Sequence, residues 1–169
     1  MKKFVLWGIV IIIGTILTII LSDNREIKEV SVPELHGKIA IYFKGDMEMK
    51  LEKEYRNVSM DRIRTDVAKT IVEEVLKGPN TESLKTTIPK GTKLNSVITN
   101  GKTVTVDLSK EFEENQNLSE ADSLLAIYSI VNSLTEITEI EEVKFLIDGK
   151  QREKYKEQFD FDKPFYRGI

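Results

Sequence analysis

Residues 39–43 set the first pattern: Ile39, Ile41 and Phe43 alternate with Ala40 and Tyr42, the two-residue period of a strand. After Gly45-Asp46 the alternation resumes, with Met47, Met49 and Leu51 set against Glu48, Lys50 and Glu52, so a hairpin with one wet face is predicted. Ser59 suits a helix N-cap, and Asp61 falls in the first turn, where the helix dipole favours a carboxylate. Met60, Ile63, Val67, Ala68, Ile71, Val72, Val75 and Leu76 then recur at spacings of three and four, which makes one apolar stripe. Lys77-Gly78-Pro79 ends that helix, because glycine accepts the left-handed cap and proline forbids continuation.

A loop through residues 88–92 leads to a second hairpin, 94–98 and 102–108, turning at Asn100-Gly101. Ser119 and Asp122 resemble a capping box. They open a helix whose apolar set, Ala121, Leu124, Leu125, Ile127, Tyr128, Val131 and Leu134, is wide enough for burial on most sides. Val143, Phe145 and Ile147 predict a last strand that stops at Asp148-Gly149, and the charged remainder through "FDFDKPFYRGI" reads as a tail. The order β-β-α-β-β-α-β predicts an α+β fold in which two helices pack on one face of a sheet.

The amino terminus follows a different rule. Residues 4–21, "FVLWGIVIIIGTILTIIL", carry no charge and as a helix reach about 27 Å, enough to span a bilayer core. Lys2 and Lys3 precede the run, whereas the flank after it has mixed charge, so the amino end is expected inside and the remainder outside. No small-residue cleavage pattern follows, which favours a retained signal anchor over a cleaved leader. The predicted organisation is a cytoplasmic end at 1–3, a transmembrane anchor at 4–21, a linker at 22–37 and an extracytoplasmic domain at 38–169 of a single-pass membrane protein. His36, alone in that linker, receives no role.

Composition narrows the chemistry. The chain has 169 residues, no cysteine and one histidine, which removes disulfides, thiolate nucleophiles and the usual zinc constellations. Its formal charge of -3 and the lack of a Lys/Arg cluster argue against nucleic acid as a partner. No phosphate loop, zinc pattern or nucleophile elbow occurs, so no catalytic, cofactor-binding or metal site is predicted and no cofactor is expected.

Asp107 stands at the end of an alternating run, where many enzymes place an acid. Catalysis would need a partner such as Glu111 or Asp148, and no spacing requires one. The plainer expectation is that Asp107 and Ser109 bond nearby backbone as the strand ends. Arg62 and Asp66, four apart, are expected to pair on a solvated helix face, and Tyr128 is expected in the core. Tyr42, Tyr55, Tyr155 and Tyr166 are the aromatic residues left over for a cell-wall binding surface.

Six short motifs follow one another: "LKGP" (76–79), "IPKGT" (88–92), "VTVDLS" (104–109), "AIYSIVNSLTE" (126–136), "VKFLIDG" (143–149) and "DKPF" (162–165). In order and spacing they resemble the GerM domain, also called GerMN or the sporulation and spore germination domain, over about residues 38–167. The resemblance implies an extracytoplasmic domain of Gram-positive, often spore-forming bacteria, similar in fold to the ring-building domains of secretion systems. It implies no catalytic residue set. Many members are lipoproteins, whereas this chain has an apolar run and no lipobox cysteine, and it carries one copy of the domain where some members have two. The function implied is a membrane-anchored, non-enzymatic scaffold or assembly domain in sporulation, germination or envelope remodelling. Its partners would be envelope or sporulation-complex proteins, with self-association as a further expectation. A peptidoglycan-binding or amidase-accessory module is the alternative, followed by a wall hydrolase using Asp107 and Asp148.

Overall fold

A computed structural model describes residues 34–46, 50–114 and 118–168. The predicted anchor at 4–21, most of the linker, and Met47, Glu48 and Met49 lie outside those residues. Among the described residues no helix is long and apolar enough to cross a membrane.

The first hairpin pairs β1 (His36–Gly45) with β2 (Leu51–Ser59) in continuous antiparallel register from His36 opposite Ser59 to Lys44 opposite Leu51. Strand β1 starts inside the predicted linker, and β2 runs past the alternation that suggested it. Ile39, Ile41 and Phe43 are buried on one face, as the period requires. Helix α1 (Met60–Leu76) is capped by Ser59, whose hydroxyl accepts from the Asp61 N–H. It is not one continuous helix: Asp66 is extended, and its carboxylate caps the second half by accepting from the Lys69 N–H at 2.8 Å. The expected Arg62–Asp66 pair is therefore replaced. Arg62 instead reaches Glu73 and Glu74 at 2.9 and 2.7 Å. At the far end Gly78 takes φ +80° and its N–H bonds the Val75 carbonyl, so the Lys-Gly-Pro stop acts as expected.

Strand β3 (Leu84–Lys85) joins the other edge of β1. Strands β4 (Leu94–Asn100) and β5 (Thr103–Leu108) form the second hairpin, with Asn100 opposite Thr103. The turn therefore lies at Gly101-Lys102, one residue later than the sequence suggested, and Gly101 at φ +59° takes the first central position. A short α2 (Glu111–Glu114) precedes α3 (Glu120–Leu134), where the Asp122 N–H donates to the Ser119 hydroxyl. Strand β6 (Glu142–Ile147) lies parallel to β5, so residues 109–141, including α3, form the crossover such a pair needs. Asp148 (φ +48°) and Gly149 (φ +71°) turn the chain back, with Ile147 bridged to Lys150. Substituting Gly149 by valine should cost more than 1 kcal/mol in chemical denaturation, because a β-branched residue resists that φ.

Two corrections concern the whole arrangement. Among the described residues the strands form not one sheet but a three-stranded sheet, β2-β1-β3, and a four-stranded sheet in which β4, β5 and β6 are followed by β9 (Phe165–Tyr166), with a small pair of β7 (Lys154–Tyr155) and β8 (Phe159–Asp160). Helix α1 touches β1, β2 and β4, while α3 touches β1 and β2 of the first sheet and β6 and β9 of the second. Because α3 contacts both sheets, it is buried around most of its circumference, including Ser123, Ser129, Asn132 and Ser133. Secondly, the supposed tail is structured. It contributes β7 (Lys154–Tyr155), β8 (Phe159–Asp160) and β9 (Phe165–Tyr166), and Tyr155 and Phe161 are fully buried. Tyr155 stacks on Phe112 and Phe161 on Phe145, each at a centroid distance of 5.2 Å, and the two stacks meet at Tyr155–Phe161, 5.2 Å, and Phe112–Phe145, 6.4 Å.

Candidate interaction surface

Asp107 is committed to structure. It is nearly buried, and its Oδ1 accepts from the Gly149 N–H at 2.9 Å, fastening the end of β5 to the turn after β6. Ser109 acts alongside: its hydroxyl accepts from the Lys93 N–H at 2.9 Å, and its own N–H returns to the Lys93 carbonyl. Asp148 accepts from the Asn95 amide at 3.3 Å. In Glu111 the Ser109 hydroxyl and the residue's own N–H hold the carboxyl below the usual carboxylate range. Asp107 and Asp148 thus brace a strand end and a turn, whereas the Glu111 Oε2 is buried without a hydrogen-bond partner among the described residues. Replacing Asp107 by alanine should cost about 1–3 kcal/mol in denaturant unfolding, the price of leaving the Gly149 N–H unpaired in a nearly buried place.

The four tyrosines separate sharply. Tyr155 is wholly inside, donates to the Phe112 carbonyl at 3.1 Å, and is pushed upward in pKa by burial. Tyr42 is 7% exposed, so it too is unavailable as a platform. Its hydroxyl donates to Glu136 at 2.7 Å, and Lys53 and Arg167 sit over its ring. Burial works against the charge of Glu136, yet donors from Tyr42, Arg167 and Lys53 hold its carboxyl at about 2. Tyr55 and Tyr166 remain exposed, Tyr166 donating to Glu142 at 3.0 Å. Tyr128 is half-buried against the core, edge-on to Phe165.

A second polar cluster was not visible in the sequence. Glu54 and Arg56 point to the core face of β2, where Arg56 Nε donates to Glu54 at 2.7 Å and Nη1 donates to the Glu74 carboxylate and carbonyl at 3.2 and 2.9 Å. Arg56 also donates to the Gly78 carbonyl, and Glu54 accepts from the Asn80 and Thr81 N–H groups. All three charged side chains are at most 7% exposed. Their lone pairs and protons are turned inward, so the cluster fastens β2, α1 and the turn after it and presents little to a ligand.

What remains open is a groove. Met60, Ile63, Val67 and Ile71 of α1 form one wall, Glu136 and Ile137 after α3 form the other, and the backbone of residues 37–40 in β1 runs between them. The cavity is about 490 Å3, and Tyr55 stands at its rim beneath the Lys38 ammonium. Beyond Ile63 and Ile137 it continues as a second hollow of about 430 Å3 toward Thr99 and Gly101. Gly37 allows the close approach that shapes it: a Cβ there would lie 2.5 Å from Ile63 Cδ1 and 2.7 Å from Met60 Sδ. Among the described residues no cluster of three or more His, Asp or Glu side chains is arranged to hold a metal.

A family model described as Germane, sporulation and spore germination, matches residues 40–153. The chain belongs to that family. The matched span takes in five of the six motifs and leaves "DKPF" at 162–165 beyond it. Among solved structures, this Germane domain is similar to a candidate lipoprotein from Clostridium perfringens, at 26% identity and a TM-score of 0.55, covering 80% of this chain and 91% of that one. It is similar in fold to the tandem GerMN domains of the sporulation protein GerM from Bacillus subtilis, at 19% identity and a TM-score of 0.62, covering 83% of this chain and 50% of that one. The first GerMN domain of the same protein gives 21% identity and a TM-score of 0.58, over 70% of this chain and 88% of that one. No curated protein sequence matches. The Germane motifs fall on shape-determining places: the Gly78 stop, the turn at Gly91 (φ +92°), the Asp107 brace and the Asp148-Gly149 turn.

Proposed function

We propose that the chain is a membrane-anchored, non-enzymatic assembly domain held outside the cytoplasmic membrane by residues 4–21. In this reading it recruits an envelope or sporulation-complex protein through the groove between α1 and Ile137. Family membership supports a role in sporulation or germination. The observation that carries the docking role is the open apolar groove of about 490 Å3, while elsewhere in the fold Asp107 and Asp148 are hydrogen-bonded to Gly149 and Asn95. Tethering at the bilayer raises the local concentration of the domain for partners on the same membrane, so a modest groove affinity suffices.

The test is purification of the full-length protein from its native membranes, beside an Ile63→Asp, Ile137→Asp variant that places charge in both walls. A protein that accompanies the native chain and is lost from a variant that still unfolds in one cooperative thermal transition is the expected result. Equal recovery with both chains would refute the groove as the docking surface. A cell-wall binding role draws support from exposed Tyr55 at the groove rim. It predicts co-sedimentation with purified peptidoglycan that falls with Tyr55→Ala, whereas the assembly reading expects no such sedimentation.

A further inference from the structure

We propose that the edge of β1 at Lys38 and Ala40 receives an extended peptide segment of the partner protein, added as a further strand. This rests on the groove being the docking surface and specifies how the segment is held. Along a strand, successive residues turn their N–H and C=O groups to opposite neighbours. The Gly45 N–H bonds the Lys50 carbonyl on the β2 side, so Lys44, Tyr42, Ala40 and Lys38 present their backbone groups away from β2. On that side Lys44 is paired with Lys85 of β3, and the Tyr42 N–H donates to the Ser133 hydroxyl at 2.9 Å. Helix α3 then ends at Leu134, and Glu136 and Ile137 lead the chain away. Among the described residues no partner reaches the outward backbone groups of Ala40 and Lys38, which line the groove.

An open strand edge is a template for another strand, and the groove walls decide which kind. The neighbouring strand of a folded sheet would follow about 4.8 Å behind its edge and meet α1 or Ile137, whereas a single extended segment has room. Its side chains would alternate, one set entering between Ile63, Val67 and Ile137 and the other facing Tyr55 and solvent. Lys38 lies 4.3 Å from the Tyr55 ring centroid and has no carboxylate partner among the described residues. The matching segment is therefore apolar at alternate positions, with an acidic residue at an outward one.

The test selects linear peptides from a displayed random library against the full-length protein in detergent, then measures their affinities. Alternating apolar peptides carrying a carboxylate are expected. N-methylation at the peptide positions facing β1 should weaken binding about tenfold or more. So should Ala40→Pro, since proline removes that N–H and is tolerated on a strand edge. Because N-methylation leaves the protein untouched, the test survives if Ala40→Pro misfolds. Peptides weakened by Ile63→Asp but indifferent to N-methylation would overturn strand addition while leaving the groove as the docking surface. Recovery of no peptide, or only of peptides indifferent to both changes, would overturn strand addition and, if the native-membrane purification also fails, the docking role with it.

Discussion

Replacing Arg56 by alanine is expected to destabilise the domain by about 3–5 kcal/mol in equilibrium denaturation, because removing one partner strands buried charge. Arg56 is 5% exposed and faces Glu54 and Glu74, at 6% and 7%; without it two carboxylates and the carbonyls of Glu74 and Gly78 lose their common donor. Lysine should rescue only part of the loss, since a single ammonium cannot reproduce the planar fork that spans β2 and α1. Acid should expose the same cluster. Burial opposes the charge of Glu74, but Lys77, Arg62 and Arg56 hold its carboxyl at about 2, against 4.5 ordinarily. A carboxyl depressed in the folded state contributes stability that is complete above its unfolded value and is lost as pH falls toward the folded one. Stability measured by denaturant titration should therefore decline between about pH 4.5 and pH 2, and less steeply in Arg56→Ala, where one of the donors is gone.

Phe161→Ala is expected to cost about 3–5 kcal/mol, the range for emptying an aromatic site in a packed core. Phe161 is 1% exposed and stacks at 5.2 Å from both Phe145 and Tyr155, with Phe165 edge-on at 5.8 Å. The collapse of so large a site is limited, because Phe112 and Phe145 are held by α2 and β6. Tyr166→Ala, five residues later and largely exposed, should change stability by no more than about 0.5 kcal/mol. Equal, small effects at both positions would mean that residues 154–166 do not belong to the core.

These two predictions mark where sequence reasoning stopped. Periodicity was enough for β1, the two main helices, the second hairpin and β6, because each buries one face and so repeats at two or about 3.6 residues. Local chemistry was enough for the Ser59 and Ser119 caps and for the Gly78 and Gly149 turns. Arg56 and Glu54 gave no local signal: charge on alternate strand positions looks like a wet face unless its partner, here Glu74 some twenty positions on, is known. The terminal aromatics were hidden for a similar reason, since Tyr155 and Phe159 sit among charges in two-residue strands too short to show a period, and Phe161 follows the second of them outside any strand. Asp66 broke α1 because an aspartate bonds its own following backbone as readily inside a helical pattern as before one. The parallel pairing of β5 with β6 and the division into two sheets are properties of long-range contact. The groove is the sum of such contacts: Gly37, Ile63 and Ile137 look unremarkable until β1, α1 and the turn after α3 converge.

The central claim is that this groove is where a partner docks. The most direct measurement places a photo-crosslinking aromatic amino acid at Tyr55 in the full-length protein, in its native membrane, and irradiates it. A discrete adduct with another polypeptide, abolished by Ile63→Asp and absent when the crosslinker replaces Tyr166 instead, is the expected result. An adduct that persists in Ile63→Asp, or the same yield from Tyr55 and Tyr166, would contradict it.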